Sequence, residues 1–158
     1  NESMSKKAVQ DEFAPNSICF GCGPSNKDGL QIKSYRTNDG LEMEFECEEK
    51  HQAFPGVING GVIGSLIDCH GNWTAAIAIM DKNGLDEPQC TVTAQYEVKL
   101  KRPTPFGPKL KIKSRVLALQ EDRAEVIIEL KANGKTCATG RGLFIAVKEG
   151  HPAYHRWH

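Results

Sequence analysis

Gly60–Met80, GGVIGSLIDCHGNWTAAIAIM, is the one long stretch of this chain with a helical repeat. Val62, Ile63, Leu66, Ile67, His70, Trp73 and Ile77 recur at steps of three and four residues. At the α-helical rise the stretch spans about 30 Å, the width of a small domain. Its other side carries Gly61, Gly64, Ser65, Asp68, Asn72 and Ala75, all small enough for a second element to approach closely. One side is apolar and the other is small, so both are expected to be covered: a central helix that a sheet wraps. A single carboxylate, Asp68, stands in the middle of the small-residue side. An unpartnered carboxylate among small and apolar groups is costly, so Asp68 needs a partner or a purpose.

The flanking residues set the helix ends. His51–Gly61 is the loop leading in, Pro55-Gly56 forces a turn, and Asn59 is a strong N-cap residue. Gly60 and Gly61 are expected to leave backbone N–H groups open at the helix start. Asn83-Gly84 supplies the stop. Before the helix, Leu30–Thr37 begins to alternate, and Asn38-Asp39-Gly40 is a hairpin signal. Leu41, Met43, Phe45 and Cys47 then alternate with Glu42, Glu44, Glu46 and Glu48, a half-buried strand with a solvated acidic face. After the helix the period is two. Strands are predicted from Cys90 to Leu100, from Leu110 to Leu119 with a register change near Arg115, over Ala124–Ala132, and over Thr136–Val147 with Leu143, Ile145 and Val147 inward. Short turns between strands imply antiparallel pairing, hence an α+β fold of one curved antiparallel sheet on one long helix. Residues 1–17 read as a flexible leader, 18–148 as a single domain and 149–158 as a polar tail.

Charge excludes some functions. Lys plus Arg equals Asp plus Glu at 20 each, so no basic excess points to nucleic acid. The longest apolar run is far short of a bilayer span, which argues against a membrane partner. Asn1–Asp11 lacks the apolar core of a signal peptide, with Met4 a candidate native start, so the expected compartment is cytoplasmic, or an organelle whose targeting peptide has been trimmed off. The six cysteines are then expected as thiols. Cys19-x-x-Cys22 is half of a zinc ribbon without a second pair, and His51 and His70 do not share a ligand spacing, so no metal is expected. No phosphate-binding glycine loop is present, and no cofactor is implied.

Three segments together resemble the hotdog-fold acyl-CoA thioesterases, in particular the phenylacetate-degradation branch, over Cys19 to about Val147. CFGCGPSNKDGL resembles a CxxCGxxNxxGL opening; HQAFPGVINGGVIGSLID resembles the core motif of aromatic-Pro-Gly, two glycines and a helical Asp; YEVKLKRPTPFG resembles the strand and turn that follow. The resemblance implies a hotdog fold, homodimers or homotetramers with active sites at the dimer interface, and acyl-CoA as substrate. It places Asp68 as general base or nucleophile, with the Gly60 and Gly61 amides polarising the thioester carbonyl at a helix N-terminus and Asn59 beside them. His51, Phe54, Ser65, Lys101 and Arg102 are the implied substrate contacts. Phe54, Val57, Ile58 and Trp73 are candidates for an acyl slot. Lys99, Lys101, Arg102, Lys109, Lys111 and Lys113 form the densest basic stretch for the phosphates of coenzyme A, with a solvated strand face as the other reading. Two departures stand out: Asn59 replaces a frequent His, and Cys69 replaces a frequent acid. Both remove ionisable groups, which keeps open a non-catalytic acyl-CoA or acyl-carrier-protein binding module and counts against a hydratase, since an amide is no base.

Overall fold

The computed structural model describes residues 6–158. A short helix α1 (Val9–Phe13) is followed by strands β1 (Tyr35–Arg36) and β2 (Gly40–Phe45), a 3-10 turn (Glu49–His51), and strands β3 (Gln52–Phe54) and β4 (Val57–Ile58). The long helix α2 (Gly60–Lys82) comes next, then β5 (Thr91–Leu100), β6 (Leu110–Leu119), β7 (Arg123–Ala132) and β8 (Lys135–Ala146). Six strands form one antiparallel sheet in the order β1-β2-β6-β7-β8-β5, while β3 and β4 make a separate small hairpin. β5 therefore pairs with β8 and not with its chain neighbour β6, and forms one free edge.

α2 starts as its sequence dictates. The Asn59 side chain accepts from the amides of Gly61 and Val62 at 2.7 and 3.2 Å. It ends at Asn83, beyond which Gly84 takes φ +65°, a conformation that suits glycine. The apolar stripe of Ile63, Leu66, Ile67, Trp73 and Ile77 is buried against the sheet. Gly71 and Gly140 let helix and sheet close up: a Cβ at 71 would press on Phe144 and Ile128, and one at 140 would overlap Ile67. On the outer face, Glu42 pairs in register with Lys113 and Glu44 with Lys111, so the acidic face of β2 is met by a basic one on β6.

Four sequence readings need correction. Only Tyr35–Arg36 of the predicted Leu30–Thr37 strand is a strand; Leu30 and Ile32 are buried, but their amides bond back to the Phe20 and Gly21 carbonyls. In β8 the inward residues are Phe144 and Ala146 rather than Leu143 and Ile145, a one-residue change of face. Of the stretch read as a leader, residues 1–5, including Met4, lie outside the described residues, while Ala8, Val9 and Ala14 are core. The C-terminal stretch also packs: Trp157 is 2% exposed and stacks on Trp73 with centroids 4.0 Å apart. Each end carries too few apolar residues to show a period, yet each adds buried residues to the core.

Candidate active site

The small-residue side of α2 lies under β5. Gly60 sits beside Leu100, Gly64 beside the Tyr96 hydroxyl, Asp68 beside Thr93 and Asn72 beside Thr91. The close approach expected from the small side chains is thus made by the edge strand of the same chain. The Thr93 hydroxyl donates to Asp68 Oδ1 at 2.6 Å, and no protein donor meets the other carboxylate oxygen among the described residues. Asp68 is half-buried and lines an open cavity of about 310 Å³ with Cys19, Cys22, Cys69, Asn72, Val92, Thr93 and Arg156. Burial pushes its carboxyl above the ordinary range; the Thr93 hydroxyl opposes this, Cys19 adds to it, and Arg156 opposes it more weakly. A carboxylate raised in this way is a better proton acceptor than a solvated one.

The helix start is the second part of the site. The Gly61 amide, expected to be open, is occupied by the Asn59 side chain. That leaves Gly60, whose amide has no acceptor among the described residues. Asn59 is therefore a cap, its oxygen spent on two amides. Ser65 donates to the Gly61 carbonyl at 3.1 Å, one turn back on the same side. Lys101 and Arg102 are exposed at the end of β5, next in the chain to Leu100, which touches Gly60. Phe54 on the β3–β4 hairpin is 60% exposed.

Other expected contacts are placed elsewhere. His51 is buried, its Nδ1 accepts from the Glu48 amide at 2.9 Å in a capping box, and its ring lies against Phe45; it serves its own turn rather than an open site. Trp73 lies beneath Trp157 and is not an acyl slot. Lys109, Lys111 and Lys113 line a groove on the outer sheet face with Glu42, Glu44 and Glu46, Lys109 lying 3.6 Å from Glu44, so these lysines are met by carboxylates of the same chain.

The arrangement that sequence reasoning missed is the cysteine cluster. Cys19, Cys22 and Cys69 bring their sulfurs within 4.8 Å of one another, at the cavity that Asp68 lines. The only signal was Cys19-x-x-Cys22, and its partner is a helix residue that the sequence offered as a plain small hydrophobe. The Cys19 thiol is pulled well below its ordinary range by the neighbouring Cys22 thiol and then by that of Cys69. Cys22 and Cys69 are correspondingly pushed up, each chiefly through its bond to Cys19.

No protein-family model matches the chain. A thioesterase superfamily protein from Shewanella loihica is 29% identical, with 88% of this chain covering 99% of that one at a TM-score of 0.68. A Bacillus halodurans protein solved with CoA is 20% identical, with 76% of each chain covered at a TM-score of 0.62, a likeness of fold. A Saccharolobus solfataricus protein named as a candidate esterase is 26% identical over 110 residues, 68% of this chain and 67% of its own. No helix among the described residues is long and apolar enough to cross a membrane. A curved antiparallel sheet on one long helix, together with the likeness to the Shewanella protein along nearly its whole length, gives this chain the hotdog fold of the thioesterase superfamily proteins it resembles.

Proposed function

We propose that the chain hydrolyses an acyl-CoA thioester, with Asp68 taking a proton from the attacking water and the Gly60 amide donating to the carbonyl oxygen. The observation that carries this reading is the state of Asp68: one oxygen held by Thr93, the other free, in an open cavity that raises its proton affinity. Water would add to the thioester carbonyl, giving an oxyanion that an N–H at a helix N-terminus stabilises. Collapse of that adduct releases the thiol, which takes up the proton that Asp68 holds. The CoA-bound Bacillus structure of like fold supports the choice of thiol.

Eight residues of helix put Gly60 and Asp68 of one chain about 12 Å apart along the axis, too far to serve one carbonyl. The reading therefore requires a homodimer in which the amide of one copy faces the carboxylate of the other. Support comes from the free edge of β5, where Tyr96 and Leu100 are 43% and 58% exposed. Lys101 and Arg102, beside the helix start, are the cations placed to meet CoA phosphates. Replacing Asp68 by Asn keeps the acceptor for Thr93 and removes the base. Loss of thiol release over a panel of short, long and aromatic acyl-CoAs, with an unchanged circular dichroism spectrum, is the expected result; an undiminished rate defeats the reading.

One observation favours a binding module instead. The Asn59 side chain is consumed as a cap and Cys69 carries no carboxylate, so neither position gives Asp68 an imidazole or a second carboxylate as helper. Acyl-CoA binding without turnover across the same panel would select that reading.

A further inference from the structure

We infer that Cys19, Cys22 and Cys69 form a binding site for a thiophilic divalent metal of the zinc class, which ties the N-terminal turn to α2. The spacing points to a metal rather than a disulfide. Cys19 and Cys69 sulfurs are 3.8 Å apart, which matches two ligands on a tetrahedral ion with metal–sulfur bonds of about 2.3 Å. A disulfide needs sulfurs at about 2.0 Å and would leave the third thiol stranded, whereas one ion uses all three.

The local backbone is built for this convergence. The Gly23 amide bonds to the Cys19 carbonyl at 2.9 Å, closing the Cys19–Cys22 turn. Gly21 lies directly on Cys69: a Cβ there would overlap the Cys69 sulfur, so only glycine lets the turn reach the helix. The turn is held from its other side by the Leu30 and Ile32 amides bonding to the Phe20 and Gly21 carbonyls.

The surroundings suit the charge. Three thiolates on a divalent ion carry one net negative charge, and up to three protons leave as the ion binds. Arg156 lines the same cavity, anchored to the Thr91 carbonyl at 2.8 Å, and its buried Nε has no partner among the described residues. All three cysteines line the cavity that Asp68 lines. Sulfur ligands select zinc, cobalt or cadmium over magnesium and calcium. The site goes beyond thioester hydrolysis and does not rest on it.

The test is zinc binding to the full-length, freshly reduced protein, read as bound metal per chain, with cobalt substitution followed by absorbance. One zinc per chain is expected, with thiolate-to-cobalt charge-transfer bands. Cys22→Ser and Cys69→Ser should each weaken zinc binding about 100-fold or more, while Cys47→Ser, outside the cluster, leaves it unchanged. Cys69→Ala, with circular dichroism and a melting curve beside it, checks that loss of metal is not loss of fold. Asp68→Asn should retain the zinc whatever it does to hydrolysis, which separates this site from the catalytic reading. Failure of the reduced protein to hold zinc, zinc held equally by the Cys22 and Cys69 variants, or a cobalt spectrum without thiolate bands would each overturn the assignment.

Discussion

His70 and Asp68 are two residues apart on α2, about 200° around the helix, and both are polar groups removed from much of the water. His70 is wholly buried, and its hydrogen bonds are complete. The Leu41 carbonyl can only accept, so Nε2 carries the proton, and Nδ1 then accepts from the Ser34 hydroxyl at 2.8 Å. Ser34 in turn accepts from the Gln10 amide at 3.0 Å and returns its own N–H to Gln10 at 2.8 Å. This closed chain ties α1 to the sheet through the helix. Asp68 has one donor, a free oxygen and a cavity. Burial is shared by the two residues; completeness of the hydrogen bonding is what separates a group that holds the fold from one left available for chemistry.

Four measurements would break or sharpen that contrast. The largest effect is expected at Asp68: Asp68→Asn should lower kcat about 1000-fold in thiol release while moving the melting curve little. His70→Ala should do the reverse, costing about 3 kcal/mol in urea unfolding by opening a cavity and leaving the Ser34 hydroxyl hydrogen without its acceptor, with kcat per folded molecule unchanged. If His70→Ala instead abolished turnover in fully folded protein, the division between the two residues would collapse.

The third is a pH dependence. Burial pushes His70 down to about 4, with the bond to the Leu41 carbonyl opposing. Between that value and about 6.5 the unfolded chain binds a proton that the folded one refuses, so stability falls as pH drops through this window and levels off below it. The loss from this group alone is about 3 kcal/mol, and urea midpoints of His70→Gln should decline less steeply over the same range. The smallest effect is expected at Thr93. Its hydroxyl holds the Asp68 carboxyl down against burial, so Thr93→Val should lower kcat about tenfold and shift the acid limb of the pH–rate profile upward. A profile that stays in place would remove Asp68 as the titrating base.

Much of the frame was legible because periodicity and end signals are local. The repeat from Val62 to Ile77, the Asn59 cap, the Asn83-Gly84 stop and the alternation from Thr91 onward are short-range physics, and the structure keeps them. Asp68 stood out for the same reason, as one charge on a side of small residues. Other features were not legible. In β8, alternation fixes that one set of residues points inward but cannot say which, because Leu143 and Ile145 are as apolar as Phe144 and Ala146. Trp157 and Val9 sit in segments too polar to show a period, yet each covers part of the core.

The sequence by itself determined a long capped helix, mostly long antiparallel strands and a lone acid on the helix's narrow side, since each depends on residues within a turn or two. Only tertiary structure decided that the lysines of β6 would face glutamates across a strand pair. It also decided that Cys69 would meet Cys19 and Cys22 from some fifty residues away. Contacts of that kind depend on where two rigid elements are brought together, and residue spacing along the chain carries no information about that.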